Sequence, residues 1–250
     1  MKLALAAVIL VASGCHYYVE DDDDGSAAAD GGAGPIADAA PGPDGGACDP
    51  IALLPEAYRP VGSVSSGEVA TEVESAAQQI FVTTVDASAG GAEGQAQQPY
   101  VYLRFTCDDG PVKVEIDDLA ALESTEWDLA LERYVIRSNG GDSGPGGRRV
   151  AQVAAPELVD DDNPPTDFLA DDWSASDCTL VQDEIAGPRT RMSSWYDVEA
   201  GRLVPEPLVF YLDAPPLRAE IDVQTYYGDP RDENRSGVYV LRTRIFGCDG

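Results

Sequence analysis

The chain has 250 residues, with 45 Asp and Glu against 16 Lys and Arg, a net charge of −29. A surface this acidic repels nucleic acid and anionic lipid headgroups, which excludes both as charge-driven partners. The hydrophobic share of 44% still suffices for the core of one domain of about 200 residues.

Lys2 precedes an apolar run from Leu3 to Ala12, and Ala12, Ser13 and Gly14 lead directly into Cys15. Such a run rises only about 15 Å as a helix, half of a roughly 30 Å hydrocarbon core. It therefore reads as the h-region of a signal peptide rather than a membrane span. Small residues directly before a cysteine resemble the lipobox of bacterial lipoproteins, whose cysteine is lipidated and becomes the mature N-terminus. The resemblance implies a signal peptide over residues 1–14 and lipid attachment at Cys15. It also implies an outer-membrane lipoprotein at the cell surface of a diderm bacterium, touching the membrane through its lipid alone.

Residues 15–50 hold little apolar material beyond Tyr17, Tyr18, Val19 and Ile36. They cannot offset the entropy of ordering and read as a disordered tether, rich in Gly, Ala, Pro and acid. The run Asp21–Asp24 reads as solvated charge, because contiguous carboxylates without turn geometry make a poor cation site.

From residue 51 to 250 the dominant period is two, the mark of strands with one buried face. β-rich runs are expected at Gln79–Asp86, Val101–Phe105 and Pro111–Ile116, then a helical turn near Leu119–Ser124. A long strand is expected from Trp127 to Ile136, with Trp127, Leu129 and Leu131 on one face and Ala130, Tyr134 and Ile136 on the other. Asn139-Gly140-Gly141 ends it in a chain reversal, and Gly144-Pro145-Gly146-Gly147 reads as a flexible joint. Arg149–Ala155 follows. The acidic segment from Val159 to Arg189 has no clean period, is too long for a hairpin loop, and reads as a functional or mobile loop. A helical turn is expected within it at Phe168–Trp173. Leu208–Asp213, Leu217–Val223 and Tyr239–Ile245 close the domain. The fold class is all-β, an antiparallel sandwich or partly open barrel with few helical turns, its regular structure beginning near Ser66.

Four cysteines follow Cys15: Cys48, Cys107, Cys178 and Cys248. An exported chain meets an oxidising compartment, and an even count suggests two disulfides, for which three connectivities exist. Cys107 and Cys248 each end a strand pattern before an Asp/Gly turn, so Cys107–Cys248 with Cys48–Cys178 is preferred. No zinc spacing occurs, and the only histidine is His16 in the tether. Gly141-Asp142-Ser143-Gly144 spells a serine-protease word, but that chemistry needs a base, normally histidine, beside the serine. Ser143 therefore reads as a turn residue, and no enzymatic activity is expected.

The words WDLAL, RYVIRSNGG and SGPGG between residues 127 and 147 resemble the signature of the HmuY family of surface-associated, lipid-anchored haem-binding proteins. IDDLAALEST before them supports the likeness, as do WYDVEAGRLVPEPLVFYL, AEIDVQTYYGD and GVYVLRTRIF after them. The resemblance spans roughly residues 68–246 and implies an all-β fold, haem as the cofactor and an outer-membrane receptor as partner. Family members hold haem iron between two histidines, or in some relatives through methionine. The folded region has no histidine, so Met192 is the candidate iron ligand, with Tyr196 beside it and Tyr226 and Tyr227 as further tyrosines. The expected function is capture of a small ligand, haem foremost, for iron uptake. The alternative is an envelope structural or interaction module of the same fold without a cofactor.

Overall fold

The computed structural model describes residues 48–88, 98–154, 164–228 and 236–248. The signal peptide, Cys15, His16 and nearly all of the tether lie outside them. The elements in chain order are β1 (Val69–Ser75), β2 (Ile80–Asp86), β3 (Val101–Thr106), β4 (Gly110–Val114), α1 (Asp118–Ala121), β5 (Leu129–Glu132), β6 (Val135–Ser138), β7 (Arg149–Ala154), β8 (Tyr196–Glu199), β9 (Arg202–Pro205), β10 (Leu208–Ala214), β11 (Leu217–Thr225) and β12 (Val238–Phe246). They form a six-stranded sheet in the order β1-β2-β12-β11-β10-β7, a four-stranded sheet β4-β3-β5-β6 and the hairpin β8-β9. The strand pairs within these sheets are antiparallel.

The period-two patterns become the main core. Ala219, Ile221 and Val223 of β11 lie opposite Ile245, Thr243 and Leu241 of β12, and all six are buried. Facing them from the other sheet are Val101, Leu103 and Phe105 of β3, Leu129 and Leu131 of β5, and Ile136 of β6. Arg218, Glu220 and Asp222 point the other way and stay partly exposed. The all-β sandwich expected from the alternation is thus the architecture observed.

The four-stranded sheet is buried on its second face as well, since every residue of β5 and β6 is buried. That face carries Tyr100, Tyr102, Ala130 and Val135, and is covered by Leu54 and Tyr58, Ala121 of α1, Trp127 and Trp173. α1 falls within the expected helical turn, with the Asp117 carboxylate accepting from the Ala120 N–H at 2.9 Å as its N-cap.

Four expectations need correction. The long strand from Trp127 to Ile136 is a hairpin, because Glu132 pairs with Val135 across a turn at Arg133-Tyr134. Arg133 adopts φ 50° there, a conformation its side chain does not advertise. Trp127 does not share the face of Leu129 and Leu131 but joins the second core. Asp128 breaks the alternation: its N–H donates to Leu103 O at 2.7 Å and its carboxylate accepts from Phe105 N–H at 2.8 Å. Phe168–Trp173 is extended rather than helical, Leu169 bridging to Val150 and Asp171 to Gly141. The glycines at 144–147 are not a free joint but are pinned by Asn139, as described below. Three strands absent from the reading, β1, β8 and β9, complete the fold. Both preferred disulfides are present, Cys48–Cys178 and Cys107–Cys248, with Cα–Cα separations of 5.4 and 5.6 Å.

Candidate functional site

The most specific words of the sequence build structure rather than a ligand site. Asn139 is fully buried. Its Nδ2 donates to the carbonyls of Ser124 and Trp127, each at 2.9 Å, and its Oδ1 accepts from Gly146 N–H at 2.9 Å. A Cβ on Gly144 or Gly146 would meet this amide at 2.4 and 2.6 Å, which explains why SGPGG follows NGG. Arg148 Nε donates to Asp128 at 2.7 Å, locking the end of this loop to the start of β5. The GDSG word is an anchor for the irregular segment. Asp142 accepts from the N–H groups of Trp173 and Ser174 at 2.8 and 2.7 Å. Ser143 Oγ donates to Asp171 at 2.6 Å, and Asp171 also accepts from Ser138 N–H at 2.9 Å and Arg191 N–H at 2.8 Å. Ser143 lies in a turn, as expected, and is buried by its bond to Asp171.

A cavity of about 630 Å³ opens elsewhere, between the end of the irregular segment and β8. Its wall is Gln182, Asp183, Glu184 and Arg189 from that segment, Ser193, Ser194, Tyr196 and Asp197, and Glu206 with Leu208. A tight turn sets the first group. Gln182 bridges to Pro188, and Asp183 Oδ1 accepts from Ile185 N–H at 3.1 Å and Gly187 N–H at 2.8 Å. That leaves Oδ2 to accept from the Tyr196 hydroxyl at 3.3 Å.

Behind Tyr196 lies an aromatic nest. Trp195 packs edge-on to Tyr196 and Tyr239 with centroids 4.9 and 5.3 Å apart, and Tyr226 lies 5.5 Å from Trp195. Such pairs add about 0.5–1.5 kcal/mol each beyond area burial. Trp195 Nε1 donates to Tyr134 O at 2.9 Å, the Tyr134 hydroxyl to Ile185 O at 3.0 Å, and the Tyr58 hydroxyl to that of Tyr134 at 2.6 Å. These contacts hold Tyr196 in place from behind, whereas four carboxylates and one arginine give the cavity wall net negative charge.

Of the sequence candidates, Tyr196 is on the cavity wall and Met192 is not. Met192 is 1% exposed and packs in the main core, its backbone carbonyl accepting from Trp195 N–H at 3.1 Å. Tyr226 belongs to the aromatic nest, and the Tyr227 hydroxyl accepts from Leu203 N–H at 3.0 Å. Asp183, Arg189, Glu206 and Leu208 were not foreseen. The length of the irregular segment pointed toward the first two; nothing in the sequence pointed to the others.

Haem iron takes His, Met, Cys or Tyr as its protein ligand. Among the described residues there is no histidine, and the cysteines are joined in disulfides. Met192 is sealed in the core. Burial and the Asp183 carboxylate push the Tyr196 hydroxyl well above its ordinary pKa, away from the phenolate an iron would need. The donor set does not fit a haem held through its iron. Nor do three or more His, Cys, Asp or Glu side chains converge as a metal site among the described residues.

No family model and no curated protein matches the chain. Several solved structures are similar to it, including the three that follow. One is a protein of Bacteroides vulgatus described as HmuY-like, at 13% identity and TM-score 0.46, covering 71% of this chain and 97% of that one. Another is the apo HmuY analog of Tannerella forsythia, at 12% identity and TM-score 0.39, covering 71% and 96%. The third is apo PinO of Porphyromonas gingivitis, at 15% identity and TM-score 0.36, covering 72% and 97%. All three TM-scores lie below 0.5, so fold and ligand are read from the chain's own strands and side chains.

Proposed function

We propose that this chain is an exported ligand-capture protein, lipid-anchored through Cys15 at the outer-membrane surface, that takes a small ligand into the cavity beside Tyr196. The observation that carries the reading is the cavity itself. Its volume of about 630 Å³ falls within the range of roughly 300–1,000 Å³ of small-molecule sites, and its wall residue Tyr196 packs on Trp195, itself tied by hydrogen bonds through Tyr134 to Tyr58. The sequence words resembling the HmuY family imply haem as the ligand and an outer-membrane receptor as its recipient. With no imidazole on the wall, haem would rest against Tyr196 and Leu208 and bind weakly.

The charge of the rim favours a second reading. Asp183, Glu184, Asp197 and Glu206 face one Arg189, and they oppose the two propionates of haem. An envelope interaction module of the same fold, without a cofactor, meets no such opposition. Haemin titration of the purified protein separates the two. A Soret shift that weakens in Tyr196→Ala, with no change in Met192→Leu, supports capture in the cavity. No spectral change in large haemin excess removes haem and leaves the second reading.

A further inference from the structure

The second core contains charged groups that the ligand-capture reading does not use. Glu132, the last residue of β5, is 1% exposed. Neither of its oxygens meets hydrogen-bond geometry with a described residue, although the Tyr100 hydroxyl, also unpartnered, offers partial relief. The groups facing it are Tyr58 from the N-terminal segment, Tyr100 and Tyr102 at the start of β3, Asp118 of α1, and Arg133 and Arg137 from its own hairpin. Arg137 is held between two rings, 4.2 Å from the Tyr100 centroid and 4.9 Å from that of Trp173. Its Nη2 donates to Tyr58 O at 3.3 Å.

The same arginine therefore grips both segments that cover this face. Trp173 Nε1 donates to Pro50 O at 3.3 Å, and Cys48–Cys178 joins the two segments covalently. The two segments are held differently: Asp171 and Trp173 are anchored by Ser138, Ser143, Arg191 and Asp142, whereas residues 49–58 carry mainly short local bonds such as Leu54 N–H to Ile51 O and Tyr58 N–H to Pro55 O. Segments with few backbone ladders open independently of the core they cover.

We propose that residues 49–58 form a proton-linked cover over the four-stranded sheet, closed when Glu132 is protonated and released as it ionises. An ionised Glu132 would be attracted by Arg137 and Arg133, but it would sit out of water with no hydrogen bond completed and Asp118 as a like charge nearby. Water is the missing partner, and water reaches it only when the Tyr58 segment lifts. Burial raises the Glu132 carboxyl to about 8, with Arg137 and Arg133 opposing the rise. In the lifted form it titrates near its ordinary value of about 4.3. Opening therefore grows up to tenfold per pH unit between these values and levels off above pH 8. Asp118 is raised to about 6, again by burial, so its contribution ends near there and the interval from pH 6.5 to 8 reports Glu132.

Amide exchange resolved by peptide, corrected for intrinsic exchange rate, tests this on the full-length chain. Protection over residues 51–58 should fall more than tenfold from pH 6.5 to 8 and stay below that of β2, β11 and β12 at every pH, because those strands exchange only when the whole domain unfolds. Glu132→Gln should flatten the dependence, and Asp118→Asn should retain it. Three results overturn the proposal: a flat profile in the parent, protection over residues 51–58 equal to that of β11 and β12, or an unchanged slope in Glu132→Gln. Should Glu132→Gln not fold, the parent profile and Asp118→Asn still decide, because a slope lost in Asp118→Asn assigns the proton to Asp118.

Discussion

At Asn139, one side chain closes three hydrogen bonds in a site with no access to water. Leaving a buried partner unsatisfied costs about 1–3 kcal/mol each, so Asn139→Ala should lower unfolding free energy by about 3 kcal/mol or more in urea titration. Trp127 is comparable. It packs edge-on to Tyr102 with centroids 5.0 Å apart, and its Nε1 donates to Ala121 O at 3.0 Å. Trp127→Ala should cost about 3–5 kcal/mol; a loss under about 1 kcal/mol would be incompatible with the burial observed. Cys15 belongs to the proposal alone: Cys15→Ala should abolish membrane fractionation, and a variant that still partitions with membranes and carries undiminished lipid label would remove the anchor. Trp127 shows what a single residue reveals in sequence. Its burial was legible from its size, but the core it joins was not, because Asp128 breaks the alternation with hydrogen bonds to a distant strand.

Among the elements, β11 and β12 were legible because buried positions alternate with partly exposed ones, and β3 and β10, buried on both faces over much of their length, because they are rich in aromatic and apolar residues. The β5–β6 turn was not, because its positive φ sits on Arg133 rather than on Gly or Asn, and the flanking residues are buried on both faces. The β8–β9 hairpin hid for a related reason. Its turn places Ala200 at φ 51° and Gly201 at φ 81°, so only one of two left-handed positions carries the expected residue. Ala200 is exposed, and replacing it should relieve strain without losing a contact. Ala200→Gly or Ala200→Asn should raise stability by up to about 1 kcal/mol, seen as a higher melting temperature; a lower one would mean that the turn is not left-handed. The cavity depends on this hairpin and on the 182–188 turn, which follow no simple period. Tyr196 was legible in the sequence only as a neighbour of Met192, and Glu206 and Leu208, which chain reversal brings to the same wall, were not legible.

For the whole molecule, the two cores differ in kind. The main core is apolar, whereas the second encloses Asp118 and Glu132, both raised by burial, to about 6 and about 8. Asp128 and Asp171 are raised for the same reason. Ordinary carboxylates titrate near 4. Between pH 4 and 8 the unfolded chain therefore gives up protons that the folded chain keeps, and folding stability falls with rising pH until it levels near 8. Denaturant midpoints at pH 5, 6.5 and 8 should decline in that order; a midpoint that climbs across this interval would contradict the burial of these groups.

Ligand capture beside Tyr196 is the central claim, and a footprint tests it most directly. Hydrogen–deuterium exchange of the protein with and without excess haemin should show new protection over residues 182–197 and 206–208. The groove between β1 and β4, lined by Val69, Val73 and Lys113 among others, should stay unchanged. Protection confined to that groove, or no protection anywhere at haemin excess, would contradict the account.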